Sequence, residues 1–217
     1  MDVSTVVQPC LTGSDLRGTL RILGILLLVG WLGLGSARAE ATPGSASATV
    51  RDFYATLLVV MKNAAALGPR GRYEKLEPVV RRCFDVPFMT RMSVGVAWGH
   101  LSPEQKQRAW HAFGRYITAV YASEFDGYSG EQFKVLNELK IRHGVLVRTQ
   151  LVKSDGEPVS MNYVVHDNDI AWQIRDIFLS GTISELATRR SEFAAILRTK
   201  GIDGLIATLN QKADQLV

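Results

Sequence analysis

Between Gln132 and Arg175 the sequence alternates apolar and polar residues with a period of two, and this stretch limits the fold more than any other. Val145, Val147, Thr149 and Leu151 alternate with Leu146, Arg148, Gln150 and Val152; Val159, Met161, Tyr163 and Val165 alternate with Ser160, Asn162, Val164 and His166. Successive strand side chains point to opposite faces, so each run carries one apolar face. Ser154-Asp155-Gly156-Glu157 supplies a hairpin turn and Asp167-Asn168-Asp169 a second, after which Ile170, Trp172 and Ile174 open a last strand against Gln173 and Arg175. With a first strand over 132–141, the pattern predicts an antiparallel meander of about four strands. Its apolar face has to be covered by something else.

Helical periodicity on both sides supplies that cover. Val50, Phe53, Tyr54, Leu57, Leu58, Met61, Ala64 and Ala65 recur at three- and four-residue steps up to Gly68-Pro69. A second helical piece covers roughly 72–83, and Asp85 caps a short third one with Pro87 in its first turn. Ser102-Pro103-Glu104-Gln105 is a capping-box start for a helix presenting Trp110, Phe113, Ile117, Val120, Tyr121 and Phe125 on one face. After Gly181, Thr182 or Ser184 starts a helix through Thr199; Gly201 closes it and Asp203 caps a last one. Helices, meander, helices is an α+β arrangement: a sheet of about four strands wrapped by N- and C-terminal helices. A twisted sheet covered on one side leaves a concavity of the kind that holds ligands.

The amino terminus reads as an export signal. Arg17 and Arg21 precede the run Ile22–Leu34, all apolar or glycine, and Ala37-x-Ala39 follows. As a helix the run spans about 20 Å, short of the roughly 30 Å hydrocarbon core. Residues 1–39 are therefore expected to be a cleavable signal peptide and residues 40–48 a flexible leader, with a single domain over 49–217 in the periplasm or another extracytoplasmic space. The rival for the apolar run is an uncleaved membrane anchor. Cys10 lies inside the signal, which leaves Cys83 alone and makes an intramolecular disulfide impossible.

Chemistry-bearing motifs are few. The excess of 25 basic over 21 acidic residues is small and spread along the chain, which gives no argument for nucleic acid. His100, His111, His143 and His166 show no metal-ligand spacing, and no nucleophile elbow, phosphate loop or dinucleotide fingerprint is present. Neither a metal nor a cofactor is expected. Asp176 follows Trp172 and Ile174 on one strand face and should point to the apolar side, where it is either an acid or base of raised pKa or a carboxylate paired with an arginine or a helix terminus. Arg51, Arg70, Arg72, Arg81 and Arg82 are candidates to meet anionic headgroups, but scattered arginines are more often a solvated face.

Phe84-Asp85-x-x-x-Met89 followed by Gly95-x-x-Trp98, and later Trp172-x-Ile174-x-Asp176-Ile177, Gly181-x-Ile183-Ser184, Arg190-x-x-Phe193 and the run Ile196–Leu205, resemble in order and spacing the periplasmic lipid-shuttle family. That family contains the toluene-tolerance proteins and the soluble component of the Mla-type lipid transporter. The resemblance covers roughly residues 48–210, and size and layout are similar to its hopanoid-biosynthesis-associated branch. It implies a monomeric, non-enzymatic carrier of phospholipid or hopanoid, working between an inner-membrane ABC-type transporter complex and an outer-membrane lipid complex. On this reading the lipid pocket is expected to be lined by Phe84, Met89, Trp98, Phe113, Tyr116, Val147, Leu151, Tyr163, Trp172 and Ile174. Two rivals stand beside it: an enzyme of small apolar substrates using Asp176, and an accessory subunit whose sheet face is filled by its own side chains.

Overall fold

The computed structural model describes residues 44–217. The predicted signal peptide over 1–39 and the start of the predicted leader lie outside the described residues. Five helices and a five-stranded antiparallel sheet follow in the order α1 (Ala46–Lys62), α2 (Ala64–Cys83), α3 (Val86–Val94), a 3-10 turn (Gly95–His100), α4 (Pro103–Glu124), β1 (Gln132–Ile141), β2 (Gly144–Val152), β3 (Pro158–Asp167), β4 (Trp172–Leu179), β5 (Ile183–Ser184) and α5 (Glu185–Leu216). The sheet is a simple meander, β1-β2-β3-β4-β5, so the expected four strands gain a two-residue fifth that leads into α5.

α1 starts earlier than its periodicity suggests. The Ser45 side chain accepts the Ala48 N–H at 3.1 Å, and the Ser47 N–H donates to Glu138 Oε1 on β1 at 2.7 Å. Residues 46–48, read from composition as leader, are helix, with Ala46 and Ser47 buried. Val50, Phe53, Tyr54 and Leu57 then face inward across β1, β2, β3 and β4, and they form the centre of the core. Within α2 the backbone breaks at Gly68, whose φ of 60° the following Pro69 could not share. Arg72, expected on a solvated face, is buried; it ties α2 to α4 by donating to the Ala122 carbonyl at 2.7 Å.

The segment between α2 and α3 is stitched to the sheet. Phe84 bridges to Ile174, and the Asp85 N–H donates to the Ile174 carbonyl at 2.9 Å. The Asp85 carboxylate caps α3 through the Phe88 N–H at 3.1 Å and takes the Arg175 guanidinium at 2.8 Å. The expected capping box of α4 forms, with Ser102 and Gln105 exchanging hydrogen bonds of 3.2 and 3.0 Å. Gly201, at φ 64°, kinks α5 where the sequence predicted one helix closing and another beginning. Ile170 falls short of the last strand; it sits in the β3–β4 turn and is 94% exposed.

Candidate functional site

One feature of β4 decides which side chains reach the interior. Val164 pairs with Asp176 but Val165 pairs with Ile174, so Arg175 is an extra residue, a β-bulge. Strict alternation would continue Trp172, Ile174, Asp176 on one face. The bulge instead turns Ile174, Ile177 and Leu179 to the helix side. Asp176 therefore leaves the apolar face. Its carboxylate accepts from Ser184 Oγ at 2.6 Å, from the Leu186 N–H at 3.1 Å and from its own neighbour Ile177 at 2.8 Å. It caps the start of α5, one of the two readings open from sequence.

At the β4 end of the sheet, α4 and α5 stand off from the strands and enclose a partly open cavity of about 520 Å³, within the roughly 300–1,000 Å³ of small-molecule sites. α4 contributes Phe113, Ile117, Val120 and Tyr121, with Phe125 just beyond it; the strands contribute Leu151, Met161, Ile177 and Leu179; Phe84, Met89 and Leu186 complete the wall. The charged lining is confined to Glu124, Glu185 and Arg189. Arg189 donates to Glu185 at 3.2 Å, to Glu192 at 2.9 Å and to the Tyr116 hydroxyl at 3.3 Å. Burial works against its charge, but Tyr116 and the two carboxylates outweigh that and hold the guanidinium above its usual range. The Tyr121 phenol, on the cavity wall, is pushed up by burial. At neutral pH the wall is therefore hydrocarbon and neutral phenol, with the Arg189 ion cluster at its edge.

Of the ten side chains expected to line the pocket, Phe84, Met89, Phe113 and Leu151 do so. Tyr116 stands behind the wall, buried, with the Arg189 guanidinium 5.5 Å from its ring centre. Val147, Tyr163 and Ile174 are fully buried. They pack in the core because α1 lies over the middle of the sheet and leaves no room there; the Tyr163 ring meets Tyr54 edge-on at 5.6 Å. Trp172 lies beside Thr49 and Ile170 in a separate surface depression, and Trp98, half-buried against the core, lines another at the 3-10 turn. Sequence reasoning missed the rest of the lining: Ile117, Val120, Tyr121, Glu124 and Phe125 at α4, Met161, Ile177 and Leu179 on the strands, and Glu185, Leu186 and Arg189 on α5. Met161 was legible on the inward face of β3 and the apolar α4 residues on the face read from their spacing, whereas Ile177 and Leu179 depend on the bulge. Cys83 is buried, and burial together with Asp52, whose Oδ2 lies 3.4 Å away, pushes its thiol up to about 12.

The sequence pattern of the family described as MlaC protein matches residues 51–211, nearly everything the structure describes. The chain belongs to the MlaC family. Among MlaC relatives, the intermembrane phospholipid transport system binding protein of Haemophilus influenzae is 24% identical over 127 residues, which cover 56% of this chain and 59% of that protein. The chain thus spans somewhat over half the length of the curated relative it matches. A phospholipid-binding protein from Ralstonia solanacearum, solved in complex with a phospholipid, shares the fold with a TM-score of 0.67 at 24% identity, over 79% of this chain and 98% of that one. The α+β architecture, a meander wrapped by helices, is the MlaC architecture. Among the described residues no helix is long and apolar enough to cross a membrane.

Proposed function

We propose that this MlaC-family chain is a periplasmic lipid carrier, exported by its amino-terminal signal, that takes the hydrocarbon part of a phospholipid or hopanoid into the cavity between the sheet and helices α4 and α5. The observation that carries the reading is the unfilled apolar cavity walled by Phe113, Leu151, Met161 and Ile177. A subunit whose sheet face was closed by its own side chains would lack it. The family, and the relatives whose names state phospholipid binding and phospholipid transport, support the same reading. On it the chain is the soluble component of an ABC-type system, handing cargo between an inner-membrane complex and an outer-membrane one.

Each CH₂ removed from water is worth about 0.8 kcal/mol, so a sixteen-carbon chain is held in a bilayer by on the order of 12 kcal/mol. A cavity of hydrocarbon side chains offsets most of that barrier without nucleotide or metal. Mass spectrometry of organic extracts of the protein purified from its native envelope tests the proposal. A stoichiometric diacyl phospholipid or a hopanoid is expected, and the class found names the cargo. Protein that is folded and consistently free of lipid would refute the carrier reading.

A further inference from the structure

Trp98 was expected in the pocket and lies outside it, and its surroundings give it another use. We propose that the 3-10 turn Gly95–His100 and the adjoining end of α3 form a membrane-contact tip that seats on an anionic phospholipid surface. None of the turn's residues is buried. Val96 is 86% exposed and Met92 39% exposed, so two aliphatic side chains stand in solvent beside a tryptophan. The depression they share with Trp98 is lined by Arg91 and Arg190 and by no carboxylate. Lys106 stands 5.9 Å from the centre of the Trp98 ring.

Arg70, Arg81, Arg82, Arg108 and Arg115 are each within 4 Å of a carboxylate. Among the described residues Arg91 and Arg190 have no such partner, nor do Arg51, Arg142, Arg148 and Arg198, but Arg91 and Arg190 are the two that line one depression with exposed apolar side chains. Arg190 is held in place by packing. A Cβ on Gly95 would come within 3.1 Å of its Nε, so the guanidinium lies close against a backbone that only glycine, at φ 69°, supplies comfortably.

The tip suits a bilayer better than a protein. A stable protein interface buries on the order of 1,000 Å² or more, and two aliphatic side chains with one indole edge fall well short. Interfacial lipid contact needs only a few apolar side chains, favours tryptophan, and gains about fivefold for each basic residue near an anionic leaflet. Its position is also apt. α3 turns Met89 to the cavity and Met92 to the tip, and α5 gives Arg189 to the cavity edge and Arg190 to the tip. A carrier seated by this tip would bring α3 and α5, the two helices that also border the cavity, to the membrane. Vesicle association itself does not depend on the carrier reading.

The test is partition of the exported, purified chain between buffer and vesicles of phosphatidylcholine, alone or mixed with phosphatidylglycerol, at low and high salt. The mixed vesicles should be favoured roughly tenfold or more at low salt, and the preference should shrink as salt screens it. Arg91→Gln with Arg190→Gln should weaken binding to mixed vesicles by about 25-fold, and Val96→Asp should weaken it while circular dichroism stays unchanged. Attachment through an amino-terminal apolar segment would act on both vesicle types alike and cancels in the ratio. Equal association with both vesicle types overturns the proposal. So does a double variant that keeps the wild-type preference, or absence of vesicle binding, which would assign the tip to a protein partner. The ratio is read whether or not cargo is present, so an empty cavity would sink the carrier reading and leave this test standing.

Discussion

A negative charge placed on the cavity wall separates the pocket from the core that surrounds it. Leu151 and Val147 lie on the same face of β2, four residues apart, but Leu151 is half-buried on the cavity wall while Val147 is fully buried beneath α1. At Val147 a carboxylate has no water and no partner; the effective penalty is several kcal/mol, a large part of the roughly 5–15 kcal/mol that stabilises a domain. Val147→Glu should therefore give unfolded or aggregated protein. At Leu151 the carboxylate reaches water through an empty cavity, and the loss is confined to part of a leucine's burial, about 1–2 kcal/mol. The fold should survive with a modestly lower Tm. A lipid chain entering that cavity must then desolvate the new charge. A penalty of several kcal/mol, with 1.4 kcal/mol per tenfold, lowers loading by at least about 10²-fold. The assay is lipid-to-protein stoichiometry by native mass spectrometry, alongside thermal unfolding of both variants. A folded Leu151→Glu protein carrying wild-type lipid would refute the assignment of the wall, and a stable, loaded Val147→Glu protein would refute the division between core and cavity.

Asp176→Asn keeps the shape of the α5 cap but removes its charge, and should lower stability by about 1–2 kcal/mol, or roughly 2–8 °C in Tm for a domain of this size. Bound lipid should be unchanged; loss of a turnover activity with an unchanged Tm would revive the enzyme reading. Alkaline pH acts on groups that folding keeps protonated. Burial raises Cys83 from 9.0 to about 12, and Tyr54 from 10.0 to about 12, so the unfolded chain loses these protons first. Stability from them is complete below pH 9 and is lost as pH rises towards 12. Denaturant unfolding should show that decline, with its earliest part missing in Cys83→Ser; a flat profile from pH 8 to 11 would contradict the burial of both groups.

Much of the fold was legible because hydrophobic period is local. The α4 cap, the three long strands and the kink at Gly201 are where the residues place them. The misplacements come from features that period alone does not show. A single extra residue, Arg175, reverses the facing of everything after it in β4, which removed Asp176 from the interior and brought in Ile177 and Leu179. Small side chains at residues 46–48 look like a leader until the Ser45 cap and the Glu138 contact hold them in a helix. The cavity was half legible for a further reason. Inward-facing residues of a sheet look alike in sequence, and whether Val147 meets a helix while Leu151 meets a void depends on how α1 and α4 cross the strands.

The central claim is that the wall between the sheet and helices α4 and α5 is completed by a hydrocarbon guest. A crystal structure of the protein purified from its own envelope, without added detergent, tests this most directly. Continuous chain- or ring-shaped density in contact with Phe113, Leu151, Met161 and Ile177 is the predicted result. A cavity closed by the inward turn of those same side chains, with no guest between them, would contradict it.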